Sequence, residues 1–412
     1  MTNDRAYRRS HPWISFQVDF QAAPARLWTL LGQAVARCGQ IAGSALPPGA
    51  AEEMQTVYLV KGVQATTAIE GNTLSTEQIR NRMIQGRLPL PPSQDYLGRE
   101  VDNVLDACGE IANAIVDGVR IQLTAKWIAK RNRQVLDGLE DHLEEGVVPG
   151  EIPAHTVGVG HYRGAPRADC AFLLDRLCGW LEQEGGLSMF RQDEDDRVAT
   201  AILHSILAHL YIAWIHPFGD GNGRTARLVE FMLLARAGVP LTSAQILSNH
   251  YNLTRAEYYR QLDRSSRAGG GRGDPLEFVL YALQGLVDGL GEQCDEIDAI
   301  QLSIAWKHFV FDRFRQERRS PALSRRREIA LALTERKHAV PRSELRRLDP
   351  AVAELYAGKT DKTLTRDINW LMQQNLIERK RGGYRAQVDR MRSFQPPRAR
   401  RNQADPPQRP HQ

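Results

Sequence analysis

The sequence predicts an all-α protein with one small β-hairpin and a separate basic module at its C-terminal end. Apolar residues recur with the 3.6-residue period of amphipathic helices along most of the chain. No convincing series of strands with alternating apolar and polar residues is present. Charge is divided, because residues 318–412 hold 23 Arg and Lys against 10 Asp and Glu, which leaves −8 for residues 1–317. An acidic helical body followed by a basic module is the predicted outline.

Composition narrows the class of protein further. A chain of 412 residues is long enough for two or three domains with substantial cores. The five cysteines are odd in number and scattered without a Cys-x-x-Cys pair, so neither a disulfide framework nor a zinc site is expected. No run of 18 apolar residues and no signal-peptide core are found. We therefore expect a cytoplasmic protein without a membrane partner.

The elements of the acidic body follow from this pattern in chain order. Helices are predicted over residues 26–43, 51–68, 76–86, 97–117 and 124–143. Residues 147–168 place valine-rich pieces between Gly and Pro, which favours a hairpin or flap that projects from the helices. Further helices are predicted over residues 169–184, 193–214, 224–237, 254–266, 274–289 and 293–316.

The basic module has a different pattern. Short helices are predicted over residues 324–335, 342–347 and 360–374, followed by a basic hairpin over 376–388 that turns at Gly382-Gly383. Three helices that end in a basic hairpin suggest a winged helix. The predicted domains are an N-terminal helical region (1–110), a core (111–295), a linker helix (296–320), a winged-helix-like domain (321–388) and a disordered basic tail (389–412).

One short segment concentrates chemistry between two predicted helices, the stretch WIHPFGDGNGRTARL at residues 214–228. Gly221, Asn222 and Gly223 lead into a helix whose first N–H groups lack intrahelical partners, and these donors favour a phosphate. Arg224 and Arg227 are three residues apart and share a helix face, so both can bind further phosphates. The segment is predicted to be an anion cradle.

Two residues before the glycines, Asp220 and His216, can supply a metal ligand and a base. Asp220 can hold Mg²⁺, which prefers a carboxylate together with phosphate oxygens. His216 can take a proton from an attacking hydroxyl. A glycine-rich connector with an incidental histidine is the alternative, but the complete set of base, acid, glycines and paired arginines favours function. A Walker loop is excluded because Ala353 stands where the motif before the GKT at residues 358–360 needs glycine, and G-x-G-x-x-G is absent here.

The stretch HPFGDGNGRTAR, residues 216–227, resembles the signature of Fic (filamentation induced by cyclic AMP) proteins, H-x-F-x-D/E-G-N-G-R-x-x-R, at every defined position. The resemblance extends to the flap at 152–168 and to RAEYYRQL at 255–262, and covers about residues 50–295. It implies transfer of AMP from ATP to a Ser, Thr or Tyr hydroxyl of a target protein, or of the protein itself, with release of pyrophosphate.

The resemblance also implies a role for each residue of the signature. The implied roles are general base for His216, core anchor for Phe218, Mg²⁺ ligand for Asp220, anion hole for Gly221, Asn222 and Gly223, and outer phosphate binding for Arg224 and Arg227. Glycine at 221 favours nucleotidyl transfer, because a kinase-like branch of the family has lysine there. Tyr258 and Tyr259 are candidates for the adenine wall, with ordinary helix packing as the alternative.

A second stretch, ATTAIEGNTLS at residues 65–75, is predicted to end a helix at Glu70, with Gly71 as the C-terminal stop. It resembles the inhibitory motif of Fic proteins, S/T-x-x-x-E-G/N, through Thr66, Glu70 and Gly71. The resemblance implies that Glu70 pairs with Arg227 and keeps ATP in an unproductive pose. Some relatives with this glutamate remove AMP from targets, and the sequence leaves both directions open.

The basic module allows more than one partner. Thr363–Gln374 is the candidate recognition helix, on which Thr363, Thr365, Arg366 and Asn369 can face DNA, and the wing carries Arg379, Lys380, Arg381 and Arg385. Docking of a protein or of a second copy of the chain is the alternative. The rival to an adenylyltransferase is a DNA-binding regulator that senses nucleotide through its Fic region, and use of another nucleotide also stays open.

Overall fold

The computed structural model describes residues 5–86, 90–159, 162–184, 194–315, 317, 320–336 and 338–392. The chain divides into two compact units, Met1–Glu296 and Ile297–Gln412. The predicted boundary between the core and the linker helix lies one residue from this division. Each unit is described by itself below.

The described residues are predominantly helical, as the sequence predicts. Their α-helices, numbered α1 to α15 in chain order, are Tyr7–Ser10, Ala25–Ala42, Pro48–Ala68, Thr76–Gln85, Asp95–Val116, Ala125–Val135, Arg167–Gly179, Glu194–Ile215, Asn222–Arg236, Ile246–Leu253, Arg255–Gly271, Pro275–Arg315, Pro321–Thr334, Pro350–Tyr356 and Asp361–Gln373. A π-helical turn over Trp180–Glu184 follows α7. A capping box begins α4, since Ser75 accepts from the Gln78 amide and the Gln78 side chain accepts from the Ser75 amide.

Two antiparallel hairpins account for the strands of the described residues. In the flap, β1 (Gly158–Val159) pairs with β2 (Tyr162–Arg163). In the second unit, β3 (Ile377–Lys380) pairs with β4 (Gly383–Ala386), and Val340 forms an isolated bridge to Tyr384. Lys380 pairs with Gly383, so the two turn residues are Arg381 and Gly382, one position before the predicted turn. The first position of this turn therefore needs no glycine.

Several predicted boundaries were wrong. The helix predicted over 124–143 ends at Val135, since the chain turns through Gly138 at φ 69°. The helices predicted over 274–289 and 293–316 are the single helix α12. The glycine between them does not break the helix but allows α10 to pack closely, since a Cβ at Gly289 would overlap Ile246 of α10. No helix was predicted at α1, α10 or α14. Residues 389–392 of the predicted tail belong to a 3₁₀ turn that begins at Val388, and the remainder of that tail lies outside the described residues.

The core of the first unit is built around α8 and α9, which pack closely against each other. Ile202, Ile206 and Leu210 of α8 are fully buried, and every residue of α9 from Arg224 to Ala235 is buried. Over Asp196–Ile215, α8 is long and apolar enough to span a membrane, but 83% of the window that meets this criterion is buried within the protein, as in a core helix. Because α9 buries polar residues on all sides, those residues need partners inside the protein.

The second unit has its own core. Trp306, Ile329, Leu345, Leu371 and Leu376 are fully buried and belong to one apolar cluster. The helix predicted over 360–374 is observed as α15, and the hairpin predicted over 376–388 is observed as β3 and β4. The winged-helix interpretation of this unit stays a prediction.

Candidate functional site

The turn between α8 and α9 has the backbone conformation that its sequence predicts. Helix α8 ends at Ile215, and His216 follows with φ 50°, in the left-handed region that few side chains adopt. Gly221, with φ 73°, is the N-cap residue of α9. A Cβ at Gly221 would lie 2.9 Å from Asn132 Nδ2, so both the backbone conformation and the available space require glycine there.

Two asparagines hold this turn in shape. Asn222 accepts from the Phe218 amide at 3.0 Å and donates to the Phe218 carbonyl at 2.7 Å, while the ring of Phe218 is 1% exposed in the core. Asn132 Nδ2 donates to the Asp220 carbonyl at 2.8 Å and to Thr225 Oγ1 at 3.2 Å. The Asn222 side chain therefore closes the turn, and only its backbone is left for an anion. Asn132 belongs to a helix without a recognisable motif, so the sequence analysis missed it.

The flap lies directly beside the histidine. Ala165 donates its amide to the Ile215 carbonyl at 3.0 Å, and Tyr162 Oη donates to the Trp214 carbonyl at 2.5 Å. A Cβ at Gly164 would lie 2.9 Å from the Cβ of His216, so the base of the flap packs closely on this residue.

A cavity of about 310 Å³ opens over the turn. Nearly all of the predicted site residues line it: Glu70, His216, Asp220, Gly221, Asn222, Gly223, Tyr258 and Tyr259. Ile69, Tyr162, Trp214, Leu262 and Asp263 complete most of the wall. Among the described residues, Arg224 and Arg227 lie behind this wall rather than in it, because carboxylates hold both of them.

Arg227 is almost completely buried and holds the predicted inhibitory glutamate. Its Nη2 forms an ion pair with Glu70 Oε1 and donates to the Thr66 carbonyl at 2.9 Å. The arginine side chain is 1% exposed and that of Glu70 is 27% exposed. A Cβ at Gly223 would overlap the Glu70 carboxylate, so glycine at this position admits the ion pair. Among the described residues, Arg227 Nε and Nη1 have no hydrogen-bond partner.

The end of the helix before Glu70 differs slightly from the prediction. Helix α3 ends at Ala68, and Glu70 lies in the turn that follows, where its amide donates to the Thr67 carbonyl at 3.1 Å. Gly71 has φ 108°, which a residue with a Cβ rarely adopts, so it terminates the turn as expected for glycine. The turn directs the Glu70 side chain into the cavity rather than along the helix axis.

The charges around the cavity shift the protonation equilibria in consistent directions. Burial raises the pKa of Glu70, but the charges of Arg227 and Arg224 outweigh it and hold that pKa below its usual value. Burial lowers the pKa of Arg227, yet Glu70 raises it above its usual value. Burial also lowers the pKa of His216, more than the nearby carboxylates raise it. At neutral pH the ion pair is therefore charged and the imidazole is neutral.

Arg224 is held by two carboxylates. Its Nη1 donates to Glu100 Oε1 at 2.7 Å and its Nη2 donates to Asp220 Oδ1 at 3.1 Å, while Nε has no hydrogen-bond partner in the part of the chain that the structure describes. Glu100 also accepts from Asn72 Nδ2 at 2.8 Å, and burial raises its pKa. The sequence analysis missed Glu100, which lies on α5, 124 residues before Arg224 and outside any motif.

The two tyrosines differ. Tyr258 is 3% exposed, packs in an aromatic cluster and shares a hydrogen bond of 2.9 Å with His209 Nε2. Tyr259 is 43% exposed. Both line the cavity, so for Tyr258 the two predicted roles, packing and cavity wall, coincide.

The residues around the cavity fit a magnesium-bound nucleotide. Buried guanidinium nitrogens without partners at Arg224 and Arg227, beside the N-terminus of α9, suit phosphate oxygens. The described residues contain no cluster of three or more His, Cys, Asp or Glu that would hold a metal alone. Asp220 lines the cavity with 44% of its side chain exposed, which suits Mg²⁺, an ion commonly held by one carboxylate plus substrate phosphates.

Comparison with known proteins gives one consistent result. Residues 122–234 match the model of the Fic/DOC family. The chain is 32% identical over 179 residues to a protein adenylyltransferase Fic of Drosophila ananassae, which covers 42% of this chain and 32% of the relative. It is 29% identical over 226 residues to a protein adenylyltransferase Fic of Culex quinquefasciatus, or 54% of this chain and 39% of the relative. The chain thus spans only about a third to two fifths of these curated relatives.

Solved structures share the fold. A Fic family protein from Desulfovibrio desulfuricans G20 superposes with a TM-score of 0.52 at 20% identity, covering 90% of this chain and 98% of the other. Residues 134–508 of Fic-1 from C. elegans superpose with a TM-score of 0.52 at 23% identity, covering 66% of this chain and 73% of the other. Taken with the turn described above, residues 122–234 match the Fic/DOC family model, and the fold resembles that of the solved Fic proteins.

Proposed function

We propose that the protein transfers AMP from ATP to a hydroxyl side chain of a target protein and releases pyrophosphate. The observation that carries the proposal is the convergence on one cavity of a neutral imidazole and a helix N-terminus with two buried arginines behind it. The relatives named as protein adenylyltransferases support the reaction class. Glycine at position 221, which packs against Asn132 without room for a side chain, supports nucleotidyl transfer over phosphotransfer.

In the proposed reaction, the hydroxyl oxygen of the target attacks the α-phosphorus of ATP. The bond from this phosphorus to the bridging oxygen breaks, pyrophosphate leaves, and the hydroxyl proton passes to His216. The lowered pKa of His216 keeps it ready to accept that proton. The amides at the start of α9 and the guanidinium groups of Arg224 and Arg227 offset the charge that moves onto pyrophosphate. Mg²⁺ would supply further charge neutralisation at Asp220.

The same proposal includes a brake. The carboxylate of Glu70 occupies Arg227 Nη2, which a terminal phosphate of ATP would otherwise contact. Because an unpaired buried arginine is costly, the pair persists without ligand. The two unpartnered nitrogens of Arg227 show that Glu70 satisfies this arginine only in part. ATP therefore competes with Glu70 for Arg227, whose hydrogen-bond donors are only partly occupied.

Intact-mass spectrometry tests both parts of the proposal. Wild type, Glu70→Gly and Glu70→Gly/His216→Asn would be incubated with ATP and Mg²⁺, alone and with a cell extract. The expected result is a gain of one AMP mass in Glu70→Gly, less in wild type and none in the double variant. No AMP on any protein with any variant would refute the transferase. Removal of AMP from extract proteins would identify the reverse reaction, and labelling by another nucleoside triphosphate would change the donor.

For the second unit, we infer a winged helix that binds duplex DNA. Arg366 and Asn369 are exposed on α15, and Arg379 and Arg381 are exposed on the hairpin. Arg385, by contrast, donates to Glu378 at 2.6 Å and to Asp389 at 2.7 Å, so its charge is already matched. Binding that weakens as salt rises, and that is lost in Arg366→Ala/Arg379→Ala but kept in Arg385→Ala, is expected in electrophoretic shifts. Equal DNA affinity of the wild type, the double variant and Arg385→Ala would refute the inference.

A further inference from the structure

A chain of buried polar side chains runs from the core to the wall of the cavity. His209 on α8, Glu230 on α9, Tyr251 on α10 and Tyr258 on α11 are each no more than 3% exposed. His209 Nε2 lies 2.9 Å from Tyr258 Oη, and its Nδ1 lies 3.6 Å from Glu230 Oε2. Tyr251 Oη donates to Glu230 Oε1 at 2.9 Å. Four helices are thus joined through buried polar side chains.

The direction of the hydrogen bonds follows from the chemistry of the groups. Tyr251 Oη donates to Glu230 Oε1, whereas His209 Nδ1 lies 3.6 Å from Glu230 Oε2, too far for a direct hydrogen bond. With the imidazole N–H on Nδ1, on the side of this carboxylate, Nε2 accepts from the Tyr258 hydroxyl. Burial raises the pKa of Tyr258 above its usual value, which keeps this donor protonated.

Packing leaves the ring of Tyr258 little freedom. It stacks on Tyr251 with the ring centroids 5.0 Å apart and meets His209 edge-on at 5.8 Å. His209 also meets Tyr251 edge-on at 4.9 Å and stacks on Phe278 at 5.9 Å. The hydroxyl bond and the ring contacts act together, so the orientation of the cavity wall depends on a carboxylate buried on a different helix.

We propose that Glu230 and His209 are positioning residues that hold Tyr258 in the orientation in which its ring contacts the base of the bound nucleotide. This inference rests on the proposed function. Since α8 ends at Ile215, directly before His216, and α9 begins at the glycine turn, the same chain ties the wall for the base to the elements that carry the imidazole and the arginines. The network sets nucleotide affinity, while proton transfer at His216 does not pass through it.

The test compares variants of the full chain in a Glu70→Gly background. Dissociation constants for ATP with Mg²⁺ would be measured by calorimetry and the rate of AMP transfer by mass spectrometry. Tyr258→Phe and His209→Leu are each expected to weaken ATP binding by about tenfold, with kcat nearly unchanged. The double variant should bind no more weakly than either single variant, because both remove the same hydrogen bond.

Two further variants separate positioning from general loss of structure. His209→Gln places an amide near the position of Nε2 and is expected to restore most of the affinity. Tyr281→Phe removes a hydroxyl from the same aromatic cluster, where it bonds Thr254 at 2.6 Å, but Tyr281 is absent from the cavity wall. Its ATP affinity should equal that of the parent. Melting temperatures of all variants would confirm that they are folded.

The outcomes distinguish this inference from the function on which it rests. Additive losses in the double variant, or an equal loss in Tyr281→Phe, would overturn the positioning role while AMP transfer stands. A parent that binds ATP but transfers no AMP would overturn the transferase, and the affinity series would still decide the role of the network. A parent that binds no ATP at all would overturn both.

Discussion

Two buried ion pairs, one in each unit, show how differently the same residue types can be used. In the second unit, Asp367 is 1% exposed and accepts from Arg326 at 2.7 Å, from Arg325 at 3.1 Å and from the Tyr356 hydroxyl at 2.8 Å. In the first unit, Glu70 is partly exposed to a cavity and pairs with Arg227, which keeps two unpartnered nitrogens.

The comparison shows that a structural ion pair differs from an exchangeable one in whether its charged atoms have all their hydrogen-bond partners, rather than in how deeply the pair is buried. Asp367 has both oxygens occupied by three donors, and no described donor around it waits for another acceptor. Removal of either partner from such a pair leaves an uncompensated buried charge. Arg227 has two donors that bond to no described group, so a ligand with several oxygens can replace one carboxylate and gain hydrogen bonds. The first pair holds a fold together, and the second holds a site closed.

The largest expected effect tests the chemistry that the exchangeable pair controls. His216→Asn should lower AMP transfer by about 10²- to 10⁴-fold, the range for loss of a general base. Asparagine is preferred to alanine because His216 has φ 50°, which asparagine tolerates. Transfer would be measured with radiolabelled ATP at saturating concentration. A folded variant with wild-type transfer would remove the role of His216.

Mutation of the structural pair around Asp367 should lower the stability of the protein and leave its activity unchanged. Asp367→Asn is expected to cost about 3–5 kcal/mol, because it leaves buried arginine charge unpaired. Hydrogen exchange of the α15 amides under increasing urea would measure this cost. Asp361→Asn is the matched control, since it removes an 83% exposed carboxylate that pairs with Arg346, at a cost of less than about 1 kcal/mol. A change in AMP transfer per folded molecule in Asp367→Asn would contradict the distinction.

Mutation of the exchangeable pair, Glu70 and Arg227, should change the rate of AMP transfer. Glu70→Gln keeps the shape of the side chain but removes the charge that holds Arg227, so AMP transfer should rise by about tenfold, within the usual range of coupling free energies. Glu53→Gln, on the helix α3 that precedes Glu70, serves as the control, because its exposed pair with Arg80 lies outside the site. Equal rates in both variants would show that Glu70 does not restrain the enzyme.

The smallest effect concerns pH. The pKa of His216 is lowered, so its neutral, proton-accepting form persists below the usual histidine value, and the acid limb of kcat/KM should lie below a pH of about 6.5. Glu70 raises the pKa of His216, so removing its charge in Glu70→Gln should move the acid limb to still lower pH. Rate profiles between about pH 5 and 8 would show both displacements. A limb above the usual value, or a shift to higher pH in the variant, would contradict this assignment.

Much of the fold and of the site can be predicted from local patterns. Helical periods located α2, α3, α5, α8 and α9 to within a few residues, and the turn from His216 to Arg227 has its chemistry in twelve consecutive residues. The errors arose where tertiary contact overrides local preference. Glycines in α12 looked like helix breaks but allow α10 to pack closely, and α10 itself carries few local helix signals.

The sequence by itself determined the helical class, the glycine turn and the residues that surround it, because these depend on neighbours within a few positions along the chain. Only the tertiary structure decided which groups satisfy the buried charges. Glu100 reaches Arg224 across 124 positions, Asn132 reaches the Asp220 carbonyl across 88, and His209 reaches Tyr258 across 49. Such pairs leave no periodic signal, since each depends on how helices pack rather than on how they form.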